Sequence, residues 1–298
     1  MMLSKLKEVI DENKIKYDIS MAEYTTFRTG GNASLFIMPE SLEDLKNVVK
    51  FFYEAKQDYY VLGNGSNLLV SDNGPSKPVI FIGKNFSSID VFENSITVRA
   101  GASLSAVAKK ACENSLTGFE FAAGIPGTMG GALIMNAGAY GGEMKDVVEA
   151  VSFLDPSGNE HIASNEEMEF SYRKSALSDT GCIITGAVIN LSKGNKRDIL
   201  DKMNELAAKR REKQPLEYPS AGSTFKRPTG YFAGALIEDS GLKGAAIGGA
   251  QVSEKHAGFI INKNNATSAD ILALIEKVSG SVYEKHGVLL ETEVKYWD

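Results

Sequence analysis

Two glycine-rich stretches, far apart in the chain, limit what this sequence can fold into. One is Gly63-Asn64-Gly65-Ser66-Asn67, set between apolar Val61-Leu62 and Leu68-Leu69-Val70. The other runs Ala123-Gly124-Ile125-Pro126-Gly127-Thr128-Met129-Gly130-Gly131-Ala132 and continues to Asn136-Ala137-Gly138-Ala139-Tyr140-Gly141-Gly142. Segments so poor in side chains add little to a core. They serve where the backbone must adopt φ > 0 or let an anion approach its N–H groups. Together they predict a phosphate-bearing cofactor, such as a dinucleotide, held from two sides. For Gly63-Asn64-Gly65 alone a plain tight turn is the other reading.

Neither common phosphate fingerprint fits. Gly63-Asn64-Gly65 lacks the third glycine of G-x-G-x-x-G and leads into another apolar strand, and no G-x-x-x-x-G-K-[ST] occurs. The expectation is a strand–loop–strand site built from backbone N–H groups, with Ser66 and Asn67 as side-chain donors.

The 298 residues, 43% hydrophobic and 23% charged, predict a soluble globular chain of two or three domains. A net charge of −6 disfavours nucleic acid as a partner. Two cysteines, Cys112 and Cys182, fit a reduced, cytoplasmic setting. The first residues carry charge from Lys5 onward, so neither a signal peptide nor a membrane span is expected. His161, His256 and His286 are isolated, and no metal site is expected.

Apolar periodicity predicts helices over 3–14, from Ser41, over 103–114 with Ser103 as N-cap, over 196–213 and over 268–284. Strands are predicted at 59–62, 68–70, 79–82, 89–92, 95–100, 147–154, 158–163, 183–191 and 288–296. The mixture reads as α+β. On the last strand, Glu291, Glu293 and Lys295 would share one face, and Leu290, Thr292 and Val294 the other.

Ser223-x-x-Lys226 and Ser71-Asp72-Asn73 echo serine acyl-enzymes, but the order is reversed, K-T-G is absent and Ser223 lies in a Gly/Pro loop. Tyr172-Arg173, taken alone, reads as a loop with a solvated arginine. The basic end of the 196–213 helix suits its dipole.

These pieces acquire a common meaning in order. Tyr24-Thr25-Thr26-Phe27-Arg28-Thr29-Gly30-Gly31, Gly63–Asn67, Gly124-Ile125-Pro126-Gly127, Asn136–Gly141, Tyr172-Arg173, Gly222-Ser223-x-Phe225-Lys226-x-Pro228 and Leu290-Glu291-x-Glu293-Val294 follow one another at characteristic spacings. In this the chain closely resembles the UDP-N-acetylenolpyruvoylglucosamine reductase family (UDP-N-acetylmuramate dehydrogenases of peptidoglycan synthesis). It looks like the shorter subtype, which lacks a substrate-covering tyrosine loop.

The resemblance implies an FAD-binding fold of the vanillyl-alcohol-oxidase type in two parts, 1–82 and 83–213. It also implies a smaller α+β substrate-binding domain at 214–284, with 285–298 packing back on the first part. NADPH would reduce FAD, and the substrate, UDP-N-acetylglucosamine enolpyruvate, would then take a hydride. Such a protein is expected to be a monomer or weak oligomer. Hydride addition at C3 drives charge onto the carboxylate, which needs fixed donors. Arg173 matches the family's residue for that role, Glu293 its glutamate and Ser223 its proton donor to C2. Glu293 would assist only when protonated, so burial or neighbours are expected to favour its neutral form.

By the same resemblance Tyr172, Arg210, Gln214 and Lys226 would bind substrate. Gly63, Asn64, Gly65, Ser66, Asn67, Gly124, Ile125, Pro126, Gly127, Thr128, Gly130, Gly131, Asn136 and Gly138 would contact FAD. Two other readings compete: an FAD-dependent oxidase or dehydrogenase of small alcohols on the same scaffold, and a non-catalytic nucleotide-sugar or flavin binder.

Overall fold

Helix starts follow the side chains able to cap them. The computed structural model describes residues 2–298 and contains, among them, α1 (Met2–Val9), α2 (Leu42–Glu54), α3 (Leu104–Glu113), α4 (Met129–Ile134), α5 (Lys196–Lys213), α6 (Ala233–Asp239) and α7 (Ser268–His286). Ser41 Oγ accepts from Asp44 N at 3.0 Å while Asp44 Oδ2 accepts from Ser41 N at 3.1 Å, closing a capping box on α2. Ser103 Oγ accepts from Ala106 N at 3.2 Å to start α3. Thr267 and Asp270 box the start of α7, and Gly287 ends it in the left-handed region at φ 66°. Buried Leu45, Val48, Val49 and Phe52 mark the core face of α2 at helical spacing.

The chain forms two compact units. The first takes the chain up to Lys16, Phe36–Asn64 and Pro78–Lys209. It holds a four-stranded sheet in the order Ile15–Lys16, Phe36–Ile37, Val79–Phe81, Tyr60–Leu62, with the last three strands parallel. Helix α2 is the crossover from Phe36–Ile37 to Tyr60–Leu62, as parallel strands require. A five-stranded antiparallel sheet follows, in the order Glu160–Ser164, Val148–Leu154, Ile183–Asn190, Ser95–Arg99, Ile89–Phe92. Its central strand, Ile183–Asn190, is buried at nearly every position.

The second unit takes Tyr17–Leu35, Gly65–Lys77 and Arg210–Asp298. Strands Ala246–Ile247, Ala250–Val252 and Ile260–Asn262 form an antiparallel sheet against which α7 packs. Phe27, Leu69, Phe225, Ile237, Val252 and Ile271 share its core. This grouping differs from the expected three parts. Residues 17–35 and 65–77 join the C-terminal region through specific bonds: Asn262 Nδ2 donates to Phe27 O at 2.9 Å, and Ser268 N to Asp72 Oδ1 at 2.7 Å.

Two predicted elements change. The helix expected over 3–14 stops at Val9, and Glu12–Lys14 form a separate 3-10 turn. The strand expected over 288–296 is confined to Lys295–Trp297, parallel to Leu68–Val70. The reason is a change of partner. Thr292 bridges Phe225, flanked by Lys226 N to Glu291 O and Glu293 N to Thr224 O, both 2.8 Å; then Lys295 N turns to Asn67 O at 2.9 Å. Leu290 and Val294 are buried and Thr292 is exposed. Among the described residues no helix is long and apolar enough to cross a membrane.

Candidate active site

The two glycine stretches meet within the first unit. Asn64 Nδ2 donates to Pro126 O at 3.2 Å, and a Cβ added to Gly63 would lie 2.6 Å from Thr128 Oγ1. The chain leaves that unit between Asn64 and Gly65. Gly65 sits at φ 57°, where a Cβ would collide with Tyr24 O. Gly130 N donates to Ala100 O at 2.8 Å, and a Cβ there would lie 3.1 Å from Ala100 Cβ. Thus Gly63, Gly65 and Gly130 are glycines because the protein packs against them. Gly131 differs: an added Cβ would meet only Thr128 Oγ1, at 3.6 Å.

The donors of these loops suit an anion. Among the described residues, no protein acceptor takes the backbone N–H of Gly63, Asn64, Gly65, Ser66, Asn67, Gly124, Gly127 or Thr128. Ile125 N donates instead to Ala122 O at 3.0 Å, and Pro126 has no N–H. Within the first unit, the unspent amides of Gly63, Asn64, Gly124, Gly127 and Thr128, with a side-chain-free backbone surface at Gly131, are the donor set that a diphosphate needs. The residues present therefore fit a dinucleotide such as FAD.

Asn136 is consumed within the fold. It is 1% exposed, at φ 41°. Its Nδ2 donates to Glu143 Oε2 at 2.6 Å and to Ser171 O at 3.1 Å, and its Oδ1 accepts from Lys145 N at 3.0 Å. Both amide hydrogens are spent, so the side chain has no donor left for a cofactor. Gly138 permits the tight hairpin Gly138–Ala139/Gly142–Glu143, because a Cβ there would lie 2.7 Å from Gly142 O.

The Ser171 carbonyl held by Asn136 opens a two-residue turn. Ser171 N donates to Lys174 O at 3.0 Å and Lys174 N to Ser171 O at 3.3 Å, leaving Tyr172-Arg173 at the tip. Arg173 adopts φ 57°, which costs a non-glycine residue about 1 kcal/mol. Its guanidinium carbon stands 5.2 Å from the Tyr172 ring centroid, and Tyr172 is half exposed. This is a strained, anchored presentation of a cation and a phenol, unlike a freely solvated loop.

In the second unit the structure brings Ser223 and Glu293 together from distant parts of the chain. Gly222, at φ 77° with open space where a Cβ would be, leads into exposed Ser223. Thr224 O accepts from Glu293 N, and Glu293 O accepts from Asn67 Nδ2 at 3.0 Å. Asn67 therefore clamps the Glu293 backbone, a role its place in the glycine loop did not signal. Lys226 Nζ contacts Glu291 Oε2 at 3.1 Å, so its charge is met by a carboxylate and not by Ser223.

Arg210 and Gln214 occupy the end of α5, where Gln214 N donates to Arg210 O at 2.9 Å. Lys255 Nζ caps the same end by donating to Arg211 O at 2.7 Å. Gln214 Oε1 is buried with no partner among the described residues, an acceptor left for a ligand donor. Among the described residues no cluster of His, Cys, Asp and Glu could hold a metal.

Residues 33–164 match the FAD binding domain family, and residues 214–297 match the UDP-N-acetylenolpyruvoylglucosamine reductase, C-terminal domain family. The chain is 52% identical over 294 residues to a UDP-N-acetylenolpyruvoylglucosamine reductase of Caldanaerobacter subterraneus subsp. tengcongensis, covering 99% of this chain and 97% of that one. It is 50% identical over 290 residues to that of Clostridioides difficile, covering 97% and 95%. The crystal structure of the Thermus caldophilus reductase superposes with a TM-score of 0.83 at 37% identity, over 95% of this chain and 99% of that one. A glucose dehydrogenase, Phl p 4.0202, aligns at TM-score 0.53 and 15% identity over 65% of this chain and 44% of its own, which shows a shared fold alone. The α+β expectation with an FAD-binding fold of the vanillyl-alcohol-oxidase type holds, and the alcohol-oxidising alternative is not favoured. The chain belongs to the UDP-N-acetylenolpyruvoylglucosamine reductase family, oxidoreductases that use FAD as cofactor and NADPH as reductant.

Proposed function

We infer that Ser223, Arg173 and Glu293 carry out the chemistry by which this chain reduces UDP-N-acetylenolpyruvoylglucosamine to UDP-N-acetylmuramate. The observation that most supports the reading is the pairing of Ser223's segment with that of Glu293, through Glu293 N and Thr224 O at 2.8 Å. Bound FAD supplies the hydride store that no side chain offers. The unspent amides of Gly63, Asn64, Gly124, Gly127 and Thr128 would hold its diphosphate, with the rest of Gly63–Asn67 and Gly124–Gly131 serving the same cofactor. The Arg173 guanidinium stabilises the negative charge that builds on the substrate carboxylate as C3 gains hydride. Glu293, in its protonated form, donates to the same developing charge. The Ser223 hydroxyl delivers the proton to C2.

Tyr172 and Lys226 contact the substrate. Arg210 and Gln214 bind its uridine diphosphate end, where a cationic helix terminus matches two phosphates. Residues 1–82 and 83–213 serve the flavin and 214–284 the substrate. The enzyme works in the cytoplasm as a monomer or weak oligomer, with neither membrane nor nucleic acid as partner. A net charge of −6 and two free cysteines support that setting.

The test is spectroscopic. Purified protein loaded with FAD should bleach near 450 nm (about, the usual flavin band) on anaerobic NADPH and recolour on adding UDP-N-acetylenolpyruvoylglucosamine. Bleaching without recolouring would contradict the substrate assignment. Failure to take up FAD would contradict the cofactor site.

A further inference from the structure

Ser223 is exposed, so its placement depends on its neighbour. Thr224 is fully buried and triply anchored. Its N–H donates to Gly258 O at 2.8 Å, its Oγ1 accepts from Ile260 N at 3.0 Å, and its carbonyl accepts from Glu293 N at 2.8 Å. Of these anchors, Gly258 is itself oriented by a side chain: its N–H donates to His256 Nδ1 at 3.1 Å. The ring lies close over that residue, since a Cβ on Gly258 would sit 3.0 Å from His256 Cε1 and 3.1 Å from Nδ1. The imidazole stands edge-on to Phe259, with centroids 5.0 Å apart, and His256 N donates to Ser253 Oγ at 3.2 Å.

The N–H and C=O of Gly258 belong to the two peptide planes that flank its Cα. Glycine does little to restrict rotation between them. Each plane therefore needs its own hold: Phe259 N donates to His256 O at 3.0 Å in the plane of the carbonyl, the bond to His256 Nδ1 holds the other, and the two together aim the carbonyl that holds Thr224. An accepting Nδ1 requires the neutral imidazole protonated on Nε2. Burial favours that form: it lowers the affinity of His256 for a second proton, with Lys243 acting in the same sense and Glu238 opposing.

We propose that His256 is a positioning residue for the protonation step: through the Gly258 peptide and Thr224 it sets where the Ser223 hydroxyl stands. The inference rests on the role given to Ser223 above.

Two variants separate it from other roles. His256→Phe keeps a ring against Phe259 but removes the acceptor, whereas His256→Asn places Oδ1 where Nδ1 was. In the FAD-loaded H256F enzyme, reduction by NADPH should proceed at the wild-type rate. Flavin reoxidation by substrate should slow about 10²-fold, the loss expected when a reacting group is displaced by about 1 Å. Amide exchange at Gly258 and Thr224, measured without substrate, should speed up. H256N should restore both the rate and the protection. Should the H256F chain not fold, His256→Ala compared with H256N carries the same test. Wild-type reoxidation in H256F, with a slow Ser223→Ala control, would overturn this inference and leave the functional reading standing. A fast Ser223→Ala control would overturn the functional reading itself. H256N as slow as H256F, with exchange protection intact in both, would overturn positioning in favour of direct ligand contact by the ring.

Discussion

Replacing Asn136 by alanine removes three hydrogen bonds from a site that is 1% exposed. The bond to the Glu143 carboxylate, at 2.6 Å, is worth about 1.5–3 kcal/mol, and each of the two neutral bonds about 0.5–1.5 kcal/mol. Alanine at φ 41° costs about 1 kcal/mol more, because its Cβ crowds the backbone there. Water entering the gap recovers part of this, so the net loss should be about 3–5 kcal/mol. In a chain of this size that is a fall in melting temperature of roughly 6–15 °C, readable by calorimetry or circular dichroism. Asn136→Gly leaves the same polar groups orphaned but relieves the backbone, and should be about 1 kcal/mol more stable than Asn136→Ala. The Tyr172–Arg173 turn also loses its tie at Ser171 O, so flavin reoxidation should suffer more than reduction by NADPH. A change below about 1 kcal/mol in Asn136→Ala would refute the reasoning, since three buried bonds cannot vanish without cost.

Other outcomes follow from the same geometry. Gly65→Ala forces a Cβ into Tyr24 O and should destabilise the fold, whereas Gly131→Ala has room, should melt like the wild type and should lose FAD affinity; the ratio of flavin to protein absorbance on titration checks both. Thr267→Ala should cost about 1 kcal/mol through the lost α7 cap, checked by denaturant titration. Asp270 is held below the usual carboxylate range, first by the Thr267 N–H and next by the Gly249 N–H. A depressed folded-state value means its stabilisation is present above the unfolded carboxylate range, near 4, and is lost as pH falls through the folded value. Asp270→Asn should therefore flatten the acid limb of the stability curve below the unfolded carboxylate range, and an unchanged acid limb would contradict the assignment.

What could be read in the sequence was local. Leu68–Val70 and Lys196–Lys213 stand where apolar runs and periodicity put them, and the Ser41 and Ser103 caps bond as their types predict. The tail misled because its pattern of alternation ran on while its partner changed at Val294, which is a matter of tertiary pairing. Asn67 looked like a ligand donor because it sits among glycines, and the family resemblance put Asn136 at the cofactor. The Asn136 amide is spent on Glu143 and Ser171 and the Asn67 amide reaches Glu293 O, none of which could be placed beside them beforehand. Lys226 lies close to Ser223 in sequence, but its ammonium goes to Glu291 on the facing segment. Arg173 was legible as a charge and not as a strained turn residue, because its φ is imposed by the Ser171–Lys174 closure.

The role proposed for Ser223 is to deliver the proton to the substrate while taking no part in flavin reduction. Stopped-flow absorbance on the Ser223→Ala enzyme, with the two half-reactions measured separately, tests it directly. Bleaching by NADPH should proceed at the wild-type rate while recolouring by UDP-N-acetylenolpyruvoylglucosamine slows on the order of 10⁴-fold. Equal slowing of both half-reactions, or recolouring at the wild-type rate, would contradict it.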